Sequence, residues 1–313
     1  MKLSKRFAIM GMFAVMVLVS GATWGFAREG TVHGNGASVA GLSGYEVVTQ
    51  STGSDSSSVK DMTAACPPGK MVIGGGARIF GSISGTALTT SGPEGPPDQP
   101  NEWFATALEV EPNSDNWGLR VDVFCATVSD YEVVTESTGS DSNSVKSMTA
   151  ACPPGKMVIG GGARIFGSIS GTALTASGPE GPPDQPTEWF ATALEVAPNN
   201  DDWGLRVDVF CASVPDYEVV TESTGSDSSA VKDMTAVCPP GKMVIGGGAR
   251  IFGSISGTAL TTSGPEGPPS EPTEWFATAL EVAPNNDDWG LRVDVFCASK
   301  VQRVYLPLVL RSS

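Results

Sequence analysis

The chain reads as an all-β protein: three tandem small disulfide-closed β-sandwich or β-prism-like domains behind a signal peptide. Three observations carry that reading. Tyr45-Glu46-Val47-Val48-Thr49 returns at Tyr131 and Tyr217, a period of 86 residues. Within each period the side chains alternate with period two. Six cysteines fall at equivalent places in the three copies. Residues 45–130 and 131–216 differ at ten positions, among them Gln50/Glu136, Asn101/Thr187 and Glu111/Ala197. Solenoid and propeller periods run only to roughly 20–50 residues, so each copy is expected to be a domain with its own core.

The alternation is clearest at Leu119, Val121, Val123 and Cys125, with Arg120, Asp122 and Phe124 on the other face. That is the pattern of a half-buried strand. Phe104, Thr106, Leu108 and Val110 alternate in the same way with Trp103, Ala105, Ala107 and Glu109. Further strands are predicted at 46–49, 59–66, 71–80 and 86–91. Turn chemistry separates them, as in Pro67-Pro68-Gly69 and Gly92-Pro93-Glu94-Gly95-Pro96-Pro97. The domains are placed at 45–130, 131–216 and 217–300. Only Ala126 to Asp130 separate Cys125 from Tyr131, at most about 20 Å of extended chain, so neighbours must sit close.

At the N-terminus Lys2, Lys5 and Arg6 precede an apolar run from Phe7 to Val19, and Gly25-Phe26-Ala27 supplies a small-x-small cleavage pattern. Residues 1–27 are therefore read as a secretory signal peptide. The apolar run is shorter than the ~20 residues of a spanning helix, and no integral membrane segment is expected in the mature chain. Residues 28–44 read as a flexible Gly/Ser-rich leader. The tail at 301–313 holds Val304-Tyr305-Leu306-Pro307-Leu308, an apolar stretch suited to covering an edge or to sorting.

Composition excludes whole classes of function. The formal charge is −15, which disfavours nucleic acid and anionic lipid as partners. His33 is the one histidine, which removes most His-based catalysis and metal binding. Cys66 and Cys125, Cys152 and Cys211, and Cys238 and Cys297 each lie 59 residues apart. Six cysteines allow fifteen connectivities. Self-sufficient repeats select bonds within each copy, as an exported chain permits. Metal ligation lacks closely spaced cysteines, and a catalytic thiol lacks a histidine.

The run Gly74-Gly75-Gly76 lacks the Lys-Ser/Thr and following helix of a phosphate loop. It reads instead as a strand whose missing side chains admit a bulge or an apposed ring, Trp103 or Trp117. Candidate ligand-binding residues are Trp103, Arg120 and Phe124 with their counterparts Trp189, Arg206, Phe210 and Trp275, Arg292, Phe296. Exposed rings beside polar groups suit a sugar or peptide platform. The competing reading buries these rings in a second core layer or between domains. Asp115, Asp201, Asp202, Asp287 and Asp288, with neighbouring asparagines, offer oxygen ligands for calcium but are also good turn formers. Carboxylate pairs such as Glu102 with Glu109 or Asp122 are the only glycosidase-like feature. No catalytic residue and no cofactor is expected.

Gly44-Tyr45-Glu46-Val47-Val48, Cys66-Pro-Pro-Gly-Lys-Met-Val-Ile-Gly-Gly-Gly76, Trp103 and Val121-Asp-Val-Phe-Cys125 together resemble an uncharacterised bacterial exported domain of the CPAGK-x-V-x-GGG type, closed by a second cysteine. The resemblance covers about 255 of the 313 residues, with Pro68 in place of the usual small residue. It implies an all-β domain on a secreted or cell-surface protein and brings no activity or ligand. A more distant similarity is to the β-prism of vitelline membrane outer layer proteins. The expected function is non-enzymatic, structural or adhesive, with envelope or extracellular polysaccharide as the candidate partner. The alternatives are a purely structural surface component and a calcium-stiffened rod.

Overall fold

The computed structural model describes residues 42–197, 199–283 and 285–299. The signal peptide, most of the leader and the 301–313 tail lie outside the described residues. The first repeat forms six strands: β1 (Ser43–Ser51), β2 (Val59–Ala65), β3 (Met71–Gly81), β4 (Thr86–Glu94), β5 (Glu102–Glu109) and β6 (Trp117–Thr127). The second repeats them as β7 (Glu132–Ser137), β8 (Val145–Ala151), β9 (Met157–Gly167), β10 (Thr172–Glu180), β11 (Glu188–Glu195) and β12 (Trp203–Ala212). The third gives β13 (Glu218–Ser223), β14 (Val231–Val237), β15 (Met243–Gly253), β16 (Thr258–Glu266), β17 (Glu274–Glu281) and β18 (Trp289–Ala298). All-β, in three disulfide-closed repeats, is the observed class.

Each repeat is two three-stranded antiparallel layers. In the first, β1-β6-β3 faces β2-β5-β4. Leu119, Val121 and Val123 are fully buried in β6. Cys66, just after β2, bonds Cys125 of β6 with Cα atoms 5.6 Å apart, joining the two layers. Cys152–Cys211 and Cys238–Cys297 repeat the link. By the chain-entropy estimate each loop closure contributes about 4 kcal/mol. Disulfides in every repeat suit an oxidising compartment. No helix among the described residues is long and apolar enough to cross a membrane.

The layers do not stop at the repeat boundary. β4 pairs with β9, β10 with β15, and β16 with β3, giving three six-stranded sheets that each draw three strands from two repeats. The last pairing brings the third repeat back onto the first, so the chain closes into a ring. One buried cluster runs through all three repeats, from Ile73 through Ile159 to Ile245. This corrects the expectation that each repeat completes its own core, and closure into a ring also overturns the rod. The reason is that β3 and β4 of one repeat have apolar, glycine-lined free edges that only a neighbour can cover.

The glycine run makes this closeness possible, with a different neighbour at each position. A Cβ on Gly160 would lie 2.4 Å from the Ile73 carbonyl oxygen of the preceding repeat. On Gly161 it would lie 2.4 Å from the Trp189 ring of the same repeat, and on Gly162 2.5 Å from Gly92 Cα across the seam. A register shift between Val72 and Gly74, opposite Cys125 and Phe124, supplies the expected bulge. Both features anticipated for the run are present.

Two outcomes follow from the shared core. Heat or denaturant should unfold the described region in one cooperative transition, with calorimetric and van't Hoff enthalpies in agreement; three separate transitions would contradict it. Gly161→Ala should cost about 3 kcal/mol or more by chemical denaturation, because its neighbours are a packed ring and the Asp208 backbone carbonyl.

Candidate functional site

Trp103, Trp189 and Trp275 are 1% exposed, and Phe124, Phe210 and Phe296 are fully buried. Of the two readings of these rings, the open platform is therefore excluded and packing of domain against domain is the one observed. Trp103 meets Phe210 of the second repeat edge-on with centroids 6.2 Å apart; Trp189 meets Phe296, and Trp275 meets Phe124. Each indole N–H donates to a serine hydroxyl, as from Trp103 Nε1 to Ser91 Oγ at 3.1 Å. The rings pack repeat against repeat. Parity placed Phe124 opposite the apolar row of β6, but Trp275 of the third repeat, not solvent, covers that face.

Tyrosines close the same seams. Tyr131 Oη donates to the Val72 carbonyl, Tyr217 Oη to Val158, and Tyr45 Oη to Val244, each at 2.6 Å. Burial, the main cause, pushes all three phenols well above their ordinary pKa; the secondary causes are Asp208 beside Tyr131, Asp294 beside Tyr217 and Glu271 beside Tyr45.

A second conserved-by-repetition unit surrounds the other tryptophan. Lys60, nearly fully buried in β2, places its Nζ 4.9 Å from the Trp117 ring centroid and 2.5 Å from Asp55 Oδ1. Lys146 with Asp141 and Trp203, and Lys232 with Asp227 and Trp289, repeat it. The lysine hydrogen bond, then loop donors such as Ser57, hold Asp55 well below the usual carboxylate range; Asp227 and Asp141 shift the same way. The recurrence of Lys at one strand position was a visible signal that alternation alone did not interpret.

The acidic loops serve as turns. Asn113 Oδ1 accepts the Asp115 backbone N–H at 2.9 Å, and Ser82 Oγ donates to Asp115 Oδ2 at 3.0 Å. Asp201 and Asp287 accept from Ser168 and Ser254 in the same way. Among the described residues no three acidic, Cys or His side chains form a metal-sized group; of the calcium candidates Asp115, Asp201, Asp202, Asp287 and Asp288, three (Asp115, Asp201 and Asp287) are engaged in loop hydrogen bonds. Glu109 accepts from Trp117 Nε1 at 3.2 Å, and Asp122 is taken by Arg120 and Thr49.

What remains open is a groove at the seam between the first and second repeats, with a cavity of about 170 Å³. β4 and β9 pair only at Thr90↔Arg164 and Ser91↔Ala163. Past that contact the loop after β4 stands over β9, β12 and β7. Gly95 turns this loop at φ +107°, where a side chain would be strained and would strike Asn101 Oδ1 at 2.2 Å. Pro100 carbonyl accepts from Val72 N–H at 2.9 Å and clips the loop to its own repeat. Pro93, Pro96, Pro97, Pro100 and Val133 give apolar surface; Glu94, Arg164, Arg206 and Asp208 give polar groups. Arg164 reaches across the seam to Glu94 and the Pro93 carbonyl and lies 5.3 Å from the Phe104 centroid.

Arg206 donates through Nε and Nη2 to Asp208 Oδ1, which also accepts from Thr135 Oγ1. Arg120 with Asp122 and Arg292 with Asp294 repeat this pair. Of the sequence candidates, the arginines thus reach the seam groove, while Trp103, Trp189 and Trp275 line a small separate cavity of about 20 Å³ shared by the three repeats. The equivalent groove at Pro179–Pro186, Val219, Arg292 and Asp294 holds about 10 Å³ with the same residue types. Its lining repeats the first except at Arg250, the counterpart of Arg164, which does not line it. The proline loop carried a turn signal in the sequence, but its role as a groove wall depends on the next repeat. No described protein family matches the chain, and no curated protein does.

The seam tyrosines predict a pH response. Their folded pKa values are raised, so their contribution is complete below the unfolded value of about 10 and is lost as pH rises beyond it. Absorbance at 295 nm should show Tyr45, Tyr131 and Tyr217 ionising only together with unfolding. Tyr131→Phe should cost about 1 kcal/mol at neutral pH and flatten the alkaline loss. At the acid end the depressed Asp55, Asp141 and Asp227 contribute above about pH 4 and lose that contribution as pH falls through their lowered folded values. Asp55→Asn should therefore reduce the slope of stability against pH in acid.

Proposed function

We propose that the chain is a non-enzymatic exported protein with a structural and adhesive role at a cell surface or in its surroundings, and that its partner is envelope or extracellular polysaccharide. The observation that carries this reading is the seam itself. One set of side chains, Arg206 and Asp208 with a proline-rich wall, recurs at each junction of a ring whose repeats are each closed by one disulfide. Repetition of one binding chemistry on one rigid body multiplies affinity for a ligand that itself repeats. Shared sheets and a common core support a body built to keep its shape, and the export signal read in residues 1–27 agrees with disulfide use.

A purely structural surface component is the second reading. It is favoured by the tryptophans, which lie buried between repeats and not on a binding face.

Co-sedimentation with insoluble envelope polysaccharides separates the two. The oxidised chain should be retained, and soluble fragments of the same polymer should release it. Absence of retention on every polymer tried would leave the structural reading alone.

A further inference from the structure

Resting on the polysaccharide reading above, we infer that the seam groove binds a single neutral sugar residue, with Arg206 and Asp208 as its polar anchor. Asp208 is 2% exposed, yet only its Oδ1 is engaged, by Arg206 and Thr135. Its Oδ2, and Nη1 of Arg206, have no hydrogen-bond partner among the described residues. A lone acceptor and a lone donor on one ion pair match two adjacent hydroxyls, each of which donates and accepts.

The remaining wall is proline. Flat pyrrolidine faces at Pro96 and Pro97 provide apolar surface for the C–H face of a sugar ring, already ordered and so with little conformational entropy to lose. The cavity of about 170 Å³ is well below the roughly 300–1,000 Å³ of drug-sized sites and suits one ring rather than a stretch of chain.

Charge selects the neutral class. Arg164 and Arg206 are matched by Glu94 and Asp208, so the groove carries no net charge of its own. The chain as a whole carries −15, which opposes the approach of uronic acids and other anions. The same pairs recur at the ring-closing seam, where Arg78 meets Glu266 at 3.1 Å and Arg120 meets Asp122 at 2.8 Å.

The test is calorimetric titration of the oxidised chain with free neutral hexoses and N-acetylhexosamines, with the matching uronic acids as charged controls. Binding near ~1 mM is expected for so small a ligand, with uronic acids at least tenfold weaker. Asp208→Asn, combined with Asp122→Asn and Asp294→Asn, should weaken neutral-sugar binding at least tenfold. Because these carboxylates are buried, a second variant places tryptophan at exposed Pro97, Pro183 and Pro269 to fill the grooves without touching the core. It should abolish sugar binding while leaving the melting temperature within a few degrees. Sugar binding that survives the groove-filling variant would overturn the site while leaving the polysaccharide reading intact. So would stronger binding of uronic acids, or retention on polymer with no binding of any free sugar. A chain that binds neither sugar nor polymer overturns both.

Discussion

The structure depends on how closely backbone can approach backbone where the three repeats meet. Gly74, Gly75 and Gly76 and their counterparts leave no room for a Cβ, each because of a different neighbour. The first glycine abuts the central strand of another repeat, the second lies under the tryptophan of its own, and the third touches the seam glycine of an adjoining β4-type strand. A methyl group at any of them would push apart elements that also hold the aromatic contacts and the tyrosine hydrogen bonds. Sheet continuity, the shared core and ring closure are consequences of that one steric allowance.

Stability is then distributed between two kinds of link. Disulfides join the two layers inside each repeat, where Cys125, Cys211 and Cys297 are fully buried. Between repeats the links are non-covalent: short strand pairings, Trp–Phe contacts and a phenol donating to a carbonyl. Covalent closure restrains the unfolded chain within a repeat, and hydrophobic burial decides whether repeats associate. Lys60, Lys146 and Lys232 add a third device. Each buried ammonium meets an exposed aspartate and an aromatic face.

The seam places function and assembly in the same residues. Arg164 spans from the second repeat to Glu94 of the first, and the loop opposite it is held by Val72 of the first. The groove exists only where two repeats join, so it inherits its geometry from the ring. The aromatic residues singled out for recognition act in assembly, while the arginines beside them keep contact with solvent.

Much of the architecture was legible in residue order. Alternation at Leu119–Cys125 identified a strand, the 86-residue return of Tyr45 counted the repeats, and equivalent cysteines fixed intrarepeat bonding, because these depend on local geometry or on symmetry within one copy. Even the glycine run announced a close ring and a bulge. What only tertiary structure decided is which surfaces are surfaces. Phe124 and Trp103 look outward by parity, but another repeat occupies that side, and no pattern within one strand reports a neighbour that arrives from 150 residues away in sequence. Ring closure through β16 and β3 and the grooves at the first two junctions arise from packing between copies, a long-range term that period-two alternation does not encode.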